Sequence, residues 1–168
     1  AGNMAVFAYV IGLGKADGLG MDFISPVLAA ASWVGIAGSG LVILLSTRFG
    51  RAWPLAGSIL LTALATWALH GSEFAWVYAL ANGLIGVTWS FGIPYLLGMC
   101  AQFDQTGQSA ALGGFASKMG MASGPLVAAW VVGADDFSRV INVGAVALVL
   151  SLVAAMIPAI LLDRAPID

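Results

Sequence analysis

The chain has 168 residues, of which 61% are hydrophobic and 8% are charged, and its formal net charge is −2. Soluble domains carry about 25% charged residues, so this composition excludes an ordinary soluble domain and indicates a protein whose solvent is lipid. The few basic residues form no stripe, which excludes nucleic acid as a partner. The single cysteine, Cys100, cannot form an internal disulfide or a metal cluster.

Long apolar runs separated by short polar gaps predict an all-α membrane protein with six transmembrane helices. Every charged residue except Lys118 lies in a gap. An α-helix needs roughly 20 apolar residues to cross a hydrocarbon core of about 30 Å, and every run but the first is about that long. The gaps are too short for a soluble domain, so we expect one transmembrane domain over residues 1–168. Its helices are predicted at approximately 1–14, 23–46, 53–70, 74–99, 109–133 and 139–162.

The first predicted helix is truncated, because its apolar run extends only from Met4 to Leu13. A run of this length does not span a membrane alone. We therefore expect residues upstream of Ala1 to complete it, in a chain that begins within a longer protein. Tyr9 on this helix is a candidate for lining a solute path.

The fourth predicted helix carries polar side chains inside an apolar run, namely Asn82, Thr88 and Tyr95. A polar group that faced lipid would lack a hydrogen-bond partner, so these side chains are expected to face an aqueous path or another helix. The nearby glycines and Pro94 are typical of the pliable helices of transporters. The alternative is ordinary interhelical hydrogen bonding, which contributes about 0.6 kcal/mol on average.

Lys118 is the one charged residue inside the apolar run of a predicted helix. If this fifth helix begins near Ser109, Lys118 lies about 14 Å along it, close to the middle of the membrane. An ammonium group there costs about 2.5 to 3.5 kcal/mol, so it is expected to face protein or water and to attract an anionic substrate group or take part in proton coupling. In the alternative, the helix begins near Leu112 and the long side chain reaches the headgroups.

Three pieces of sequence, in their order and topological positions, resemble motifs of the major facilitator superfamily of secondary transporters. They are Arg48-x-Gly50-Arg51 between the second and third helices, Asp104-x-x-Gly107 before the fifth, and Gly120-x-x-x-Gly124-Pro125 within the fifth. The first two resemble loop motifs of the family and the third resembles its antiporter motif. Taken singly, the first is also a common basic turn, and glycines four residues apart commonly allow close helix packing.

The resemblance implies the C-terminal half of a major-facilitator-type fold, with helices seven to twelve of a twelve-helix protein. It implies a secondary active transporter that moves a small solute by alternating access, coupled to an ion such as the proton, without a cofactor. The partners would be an N-terminal six-helix half, a small-molecule substrate and the lipid bilayer. In this family the first, second, fourth and fifth helices of each half line the path, and Gly120, Gly124 and Pro125 would form a flexible gate.

Two other classes of membrane protein were weighed against a transporter. An intramembrane enzyme would need a nucleophile with a base, or a metal site of histidines and carboxylates, and His70 at a helix end supplies neither. We therefore expect no enzymatic activity and no metal site. A standalone six-helix channel or a structural membrane subunit is the remaining alternative. The expected location is a multi-pass position in the bacterial inner membrane.

Overall fold

A computed structural model of the chain describes residues 2–45, 48–103, 106–132 and 136–164. Within these ranges the regular secondary structure is helical, with a 3₁₀ turn at Leu69–Gly71 and no β-strand, which confirms the predicted all-α class. The α-helices are α1 (Gly2–Ala16), α2 (Met21–Leu45), α3 (Ala52–Ala68), α4 (Ala75–Phe103), α5 (Gln108–Val132) and α6 (Phe137–Arg164).

Four of these helices are long and apolar enough to cross a membrane: α2, α3 together with its 3₁₀ turn, α4 and α6. Helix α1, with 15 residues, is shorter than the roughly 20 that a crossing needs. Helix α5 has the length, but Lys118, three serines and four glycines lower its hydrophobicity. Large apolar side chains such as Trp33, Ile43 and Trp130 are three-quarters or more exposed on the outside of the bundle. The protein is thus a bundle of long apolar helices with the surface of a membrane-embedded protein.

Consecutive helices run in opposite directions, so the bundle has two ends. The His70 end contains the connections 17–20 and 69–74 and the first turn of α6. The Arg51 end contains residues 48–51, the end of α4 and the end of α6. A hydrophobic cluster fills each end: one surrounds Tyr78, whose hydroxyl donates to the carbonyl oxygen of Val10 at 3.1 Å, and the other surrounds Leu55 and Phe91.

The helix pairing has a two-fold pattern. Helix α2 packs along α4, and α1 packs along α5; α3 contacts α4, and α1 contacts α6; and α3 packs along α6. If α1 is exchanged with α4, α2 with α5 and α3 with α6, the α2–α4 contact becomes the α1–α5 contact. The α3–α4 contact then becomes the α1–α6 contact, and the α3–α6 contact is unchanged. The two halves of the chain therefore pair in a similar order, although α2 and α4 share a more extensive contact than α1 and α5.

Small residues form the seam between α2 and α4, the most extensive helix contact in the bundle. A methyl group added at Gly38 would overlap the carbonyl oxygen of Val87. One added at Gly86 would lie 2.8 Å from the carbonyl oxygen of Ala31. Without side chains at these points the two backbones approach closely, which is how helices gain packing energy where lipid offers no hydrophobic driving force.

Candidate functional site

The carboxylate of Asp163, at the end of α6, holds the start of α3. It accepts hydrogen bonds from the backbone N–H of Arg51 at 2.8 and 2.9 Å and from that of Ala52 at 2.8 Å. The guanidinium of Arg51 lies 3.7 Å from the same carboxylate. The first N–H groups of a helix lack intrahelical partners and attract negative charge, so Asp163 caps α3 from another helix.

Gly50 makes this capping possible. Its φ of +70° lies in the left-handed region, and a Cβ added there would stand 2.7 Å from the Asp163 carboxylate. Glycine is the residue that adopts such a conformation without steric cost. The sequence predicts a functional loop at Gly50 and Arg51. Asp163 lies just beyond the predicted end of the sixth helix and is not among the predicted site residues, because the pairing of α3 with α6 is not visible in the sequence.

Arg48 and Gly107 of the loop motifs lie at the same end of the bundle. Arg48 is exposed. Its backbone N–H donates to the carbonyl oxygen of Leu45 at 3.1 Å, and its guanidinium has no ion-pair or hydrogen-bond partner among the described residues. Gly107, directly before α5, also has a positive φ of +81°. Asp104 lies outside the described residues. The structure therefore brings Gly50 and Arg51 together with Asp163 and leaves Arg48 open to the surroundings.

A cavity of about 340 Å³ lies among α1, α2, α4 and α5. Helices α3 and α6 contribute no lining residue to it. Apolar side chains make up most of the wall, including Met121 of α5, and none of the lining residues is charged. The polar side chains of the wall are Asn3, Ser32, Asn82, Trp89 and Ser90. The cavity can thus offer hydrogen bonds and an aromatic face to a ligand, but no counter-charge.

The side-chain amides of Asn82 and Asn3 differ in whether the protein provides them with hydrogen-bond partners. The side-chain nitrogen of Asn82 donates to the carbonyl oxygen of Tyr78 at 2.8 Å within α4. The side-chain oxygen of Asn3 is buried and accepts no hydrogen bond from the part of the protein that the structure describes. An unpaired buried acceptor costs about 1–3 kcal/mol.

Thr88 and the two tyrosines lie away from this cavity. The hydroxyl of Thr88 lies 2.7 Å from that of Thr62 and links α4 to α3, which is the interhelical bond weighed as the alternative to path lining. Tyr95 is buried at the Arg51 end with its ring 5.1 Å from that of Phe91. Tyr9 packs, partly buried, against the cluster at the His70 end. Of the predicted path residues, only Asn82 reaches the cavity wall.

Helix α5 presents three different faces. Gly124 and Ala128 are buried in the bundle, and Gly120 and Pro125 are half-buried. Lys118 is exposed and shares a second face with small residues at spacings of three and four, which are Ala111, Gly114, Ala122 and Ala129. A third face carries the large exposed apolar side chains Leu112, Phe115, Met119, Leu126 and Trp130. Lys118 is therefore on the side of α5 that carries small residues.

At the His70 end the polar groups pair with one another. The Nε2 of His70 lies 3.0 Å from the side-chain oxygen of Asn142, and the hydroxyl of Ser72 donates to Asp17. Among the described residues no group of three histidines, cysteines or carboxylates could hold a metal ion.

Comparison with known proteins identifies no matching family model, no matching curated protein and no matching solved structure.

Proposed function

We propose that this chain is the C-terminal six-helix half of a secondary active transporter of the major facilitator type. The observation that carries the proposal is the cavity among α1, α2, α4 and α5, with α3 and α6 outside it. Those four helices are the ones that line the path in the family that the sequence resembles. In this proposal α1 and α5 also cross the membrane, and an N-terminal half faces the cavity and completes it.

The two-fold helix pairing supports the same proposal. Each six-helix half of a major facilitator protein contains two three-helix repeats of inverted topology. In such a half, exchanging the repeats is expected to convert the most extensive helix contacts into one another. The pairings of α2 with α4 and of α1 with α5 are related in this way.

The chemistry of the cavity wall favours an uncharged solute that carries hydrogen-bond donors. Removing a charge from water costs several kcal/mol unless a countercharge is present, and this wall has none. The side-chain oxygens of Ser32, Asn82 and Ser90 in the wall can accept from a hydroxyl or N–H of the solute. The ring of Trp89 can pack against its apolar face.

Transport assays on the complete protein in vesicles test the function. We expect a radiolabelled uncharged polyol or amide to show saturable uptake, and vesicles preloaded with the unlabelled solute to accumulate the label by exchange. Exchange of this kind requires alternating access. Non-saturating flux without exchange would indicate the six-helix channel instead and would overturn the proposal.

Asn82→Ala should weaken solute binding. A neutral hydrogen bond contributes about 0.5–1.5 kcal/mol, so the half-saturation concentration should rise by roughly twofold to twelvefold. The matched control is Asn142→Ala, the same change at the His70 end outside the cavity. If the two substitutions changed the half-saturation concentration equally, Asn82 would not be a solute-binding residue.

Lys118→Ala should slow transport about tenfold, which corresponds to about 1.4 kcal/mol. A lysine near the middle of the membrane requires protein or water around its ammonium, and the small residues beside it allow another helix to approach. In the proposal that helix belongs to the N-terminal half. Lys15→Ala, at the His70 end, is the control, and a Lys118→Ala variant with the wild-type rate would show that Lys118 is not a coupling or substrate residue.

A further inference from the structure

A second, larger hollow of about 630 Å³ opens on the outside of the bundle between α2 and α3. Both helices pack on α4 and have little contact with each other, so α4 forms the floor of the groove. Leu41 and Leu61 belong to its two walls, and Val87 and Phe91 to its floor. We call this hollow the α2–α3 groove.

The groove offers almost no hydrogen bonds to an occupant. Its two hydroxyl groups donate within their own helices, Ser58 to the carbonyl oxygen of Leu55 at 2.9 Å and Thr88 to that of Leu84 at 2.8 Å. A bound water needs two to four polar partners, so ordered water is disfavoured here. The occupant that fits this lining is a hydrocarbon chain.

The groove extends from the Arg51 end toward the middle of the bilayer. Its lining follows α3 from Trp53 to Leu61, which is about 12 Å at 1.5 Å per residue. One leaflet contributes about 15 Å to the hydrocarbon core, so the groove is nearly as long as one leaflet is thick. The side chains of Phe49 and Trp53 line its outer end, and both are exposed. Aromatic side chains of this kind mark the level of the headgroups.

A positive charge with no ion-pair partner among the described residues lies beside this outer end. Arg48 directly precedes Phe49 and is exposed, whereas the guanidinium of Arg51 already lies beside Asp163. Guanidinium groups bind phosphate through two parallel N–H donors, and basic residues at headgroup level attract anionic lipids.

We propose that the α2–α3 groove holds one acyl chain of an anionic phospholipid whose phosphate is bound by Arg48. The apolar lining selects the chain, and the uncompensated arginine selects the charge of the headgroup. This site faces the bilayer and is separate from the cavity among α1, α2, α4 and α5, so it does not depend on the proposed transport function.

Native mass spectrometry of the protein in detergent with equal phosphatidylglycerol and phosphatidylethanolamine tests the site. We expect one phosphatidylglycerol to be retained preferentially, and Arg48→Gln to lower that preference about fivefold, the factor for one basic residue at a membrane surface. Arg139→Gln, at the other end of the bundle, should leave it unchanged. Equal retention of the two lipids by the wild type, or an unchanged preference in Arg48→Gln, would overturn the proposal.

A second variant tests the groove itself. Gly57 lines the α2–α3 groove, and a Cβ added there meets no atom within 4 Å, so Gly57→Leu fills the groove without a clash. We expect it to reduce retention of phosphatidylglycerol severalfold. Gly40→Leu is the matched control, since its Cβ also meets nothing and the residue lies outside the groove. Retention by Gly57→Leu equal to that by Gly40→Leu would place the lipid elsewhere and overturn the proposal.

Discussion

Gly38→Leu should lower the free energy of unfolding by about 3 kcal/mol, the upper part of the usual range for overpacking. The added Cβ overlaps the carbonyl oxygen of Val87 and lies 3.0 Å from its carbonyl carbon and 3.1 Å from the backbone nitrogen of Phe91. These are backbone atoms of α4 and cannot move aside as a side chain can. The two helices must separate, and they share the most extensive contact in the bundle.

Unfolding of the purified protein in mixed detergent micelles, followed by tryptophan fluorescence, measures this effect. Gly40→Leu provides the control, since it is the same change two residues away on the same helix, where a Cβ meets no atom within 4 Å. That variant should unfold within about 0.5 kcal/mol of the wild type. Similar destabilisation by both substitutions would mean that the seam between α2 and α4 does not depend on Gly38.

Asp163→Ala should cost about 2–4 kcal/mol, because it removes an ionised acceptor that two backbone N–H groups share. Arg51→Ala should cost less, since its guanidinium stands 3.7 Å away and the pair is partly exposed. The contrast between the two variants separates helix capping from ion pairing. Both can be measured by the same unfolding experiment.

The matched control for Asp163→Ala is Asp136→Ala. Asp136 pairs with Arg139 at 2.7 Å and accepts from the backbone N–H of Arg139 at 3.3 Å, but both side chains are well exposed, so its loss should cost about 1 kcal/mol. Asp163→Asn keeps one acceptor oxygen and should lie between wild type and alanine. If Arg51→Ala proved as harmful as Asp163→Ala, the ion pair and not the cap would hold α3 to α6.

The positions of the helices could be predicted from the sequence, but which side of each helix is buried in the bundle could not. Charges at the gaps locate the six helices, because a charge inside lipid is costly. Lipid and protein interior are both apolar, however, so Leu84, which is exposed, and Ile85, which is buried, carry the same signal. Helix pairing therefore depends on residues such as Gly38, whose role becomes visible only when Val87 lies opposite it.

The residues of the candidate site could also be predicted only in part from the sequence. Asn82 was singled out as a polar residue in an apolar run and lies in the cavity wall. Thr88 gave the same signal and lies instead against Thr62, because polarity alone does not tell a cavity from a neighbouring hydroxyl. Asn3 and Asp163 were missed, since each lies near the end of a helix, where polar residues are ordinary.

The cap on α3 also constrains the order in which the protein matures on the ribosome. Asp163 follows Arg51 by 112 residues, and translation at about 5–20 residues per second separates their synthesis by roughly 6 to 22 seconds. During this interval the start of α3 has no Asp163 to accept its N–H groups, and water or lipid headgroups must satisfy them. The start of α3 is thus capped only when the last helix arrives, and a nascent chain that stalls before α6 would leave these N–H groups without Asp163.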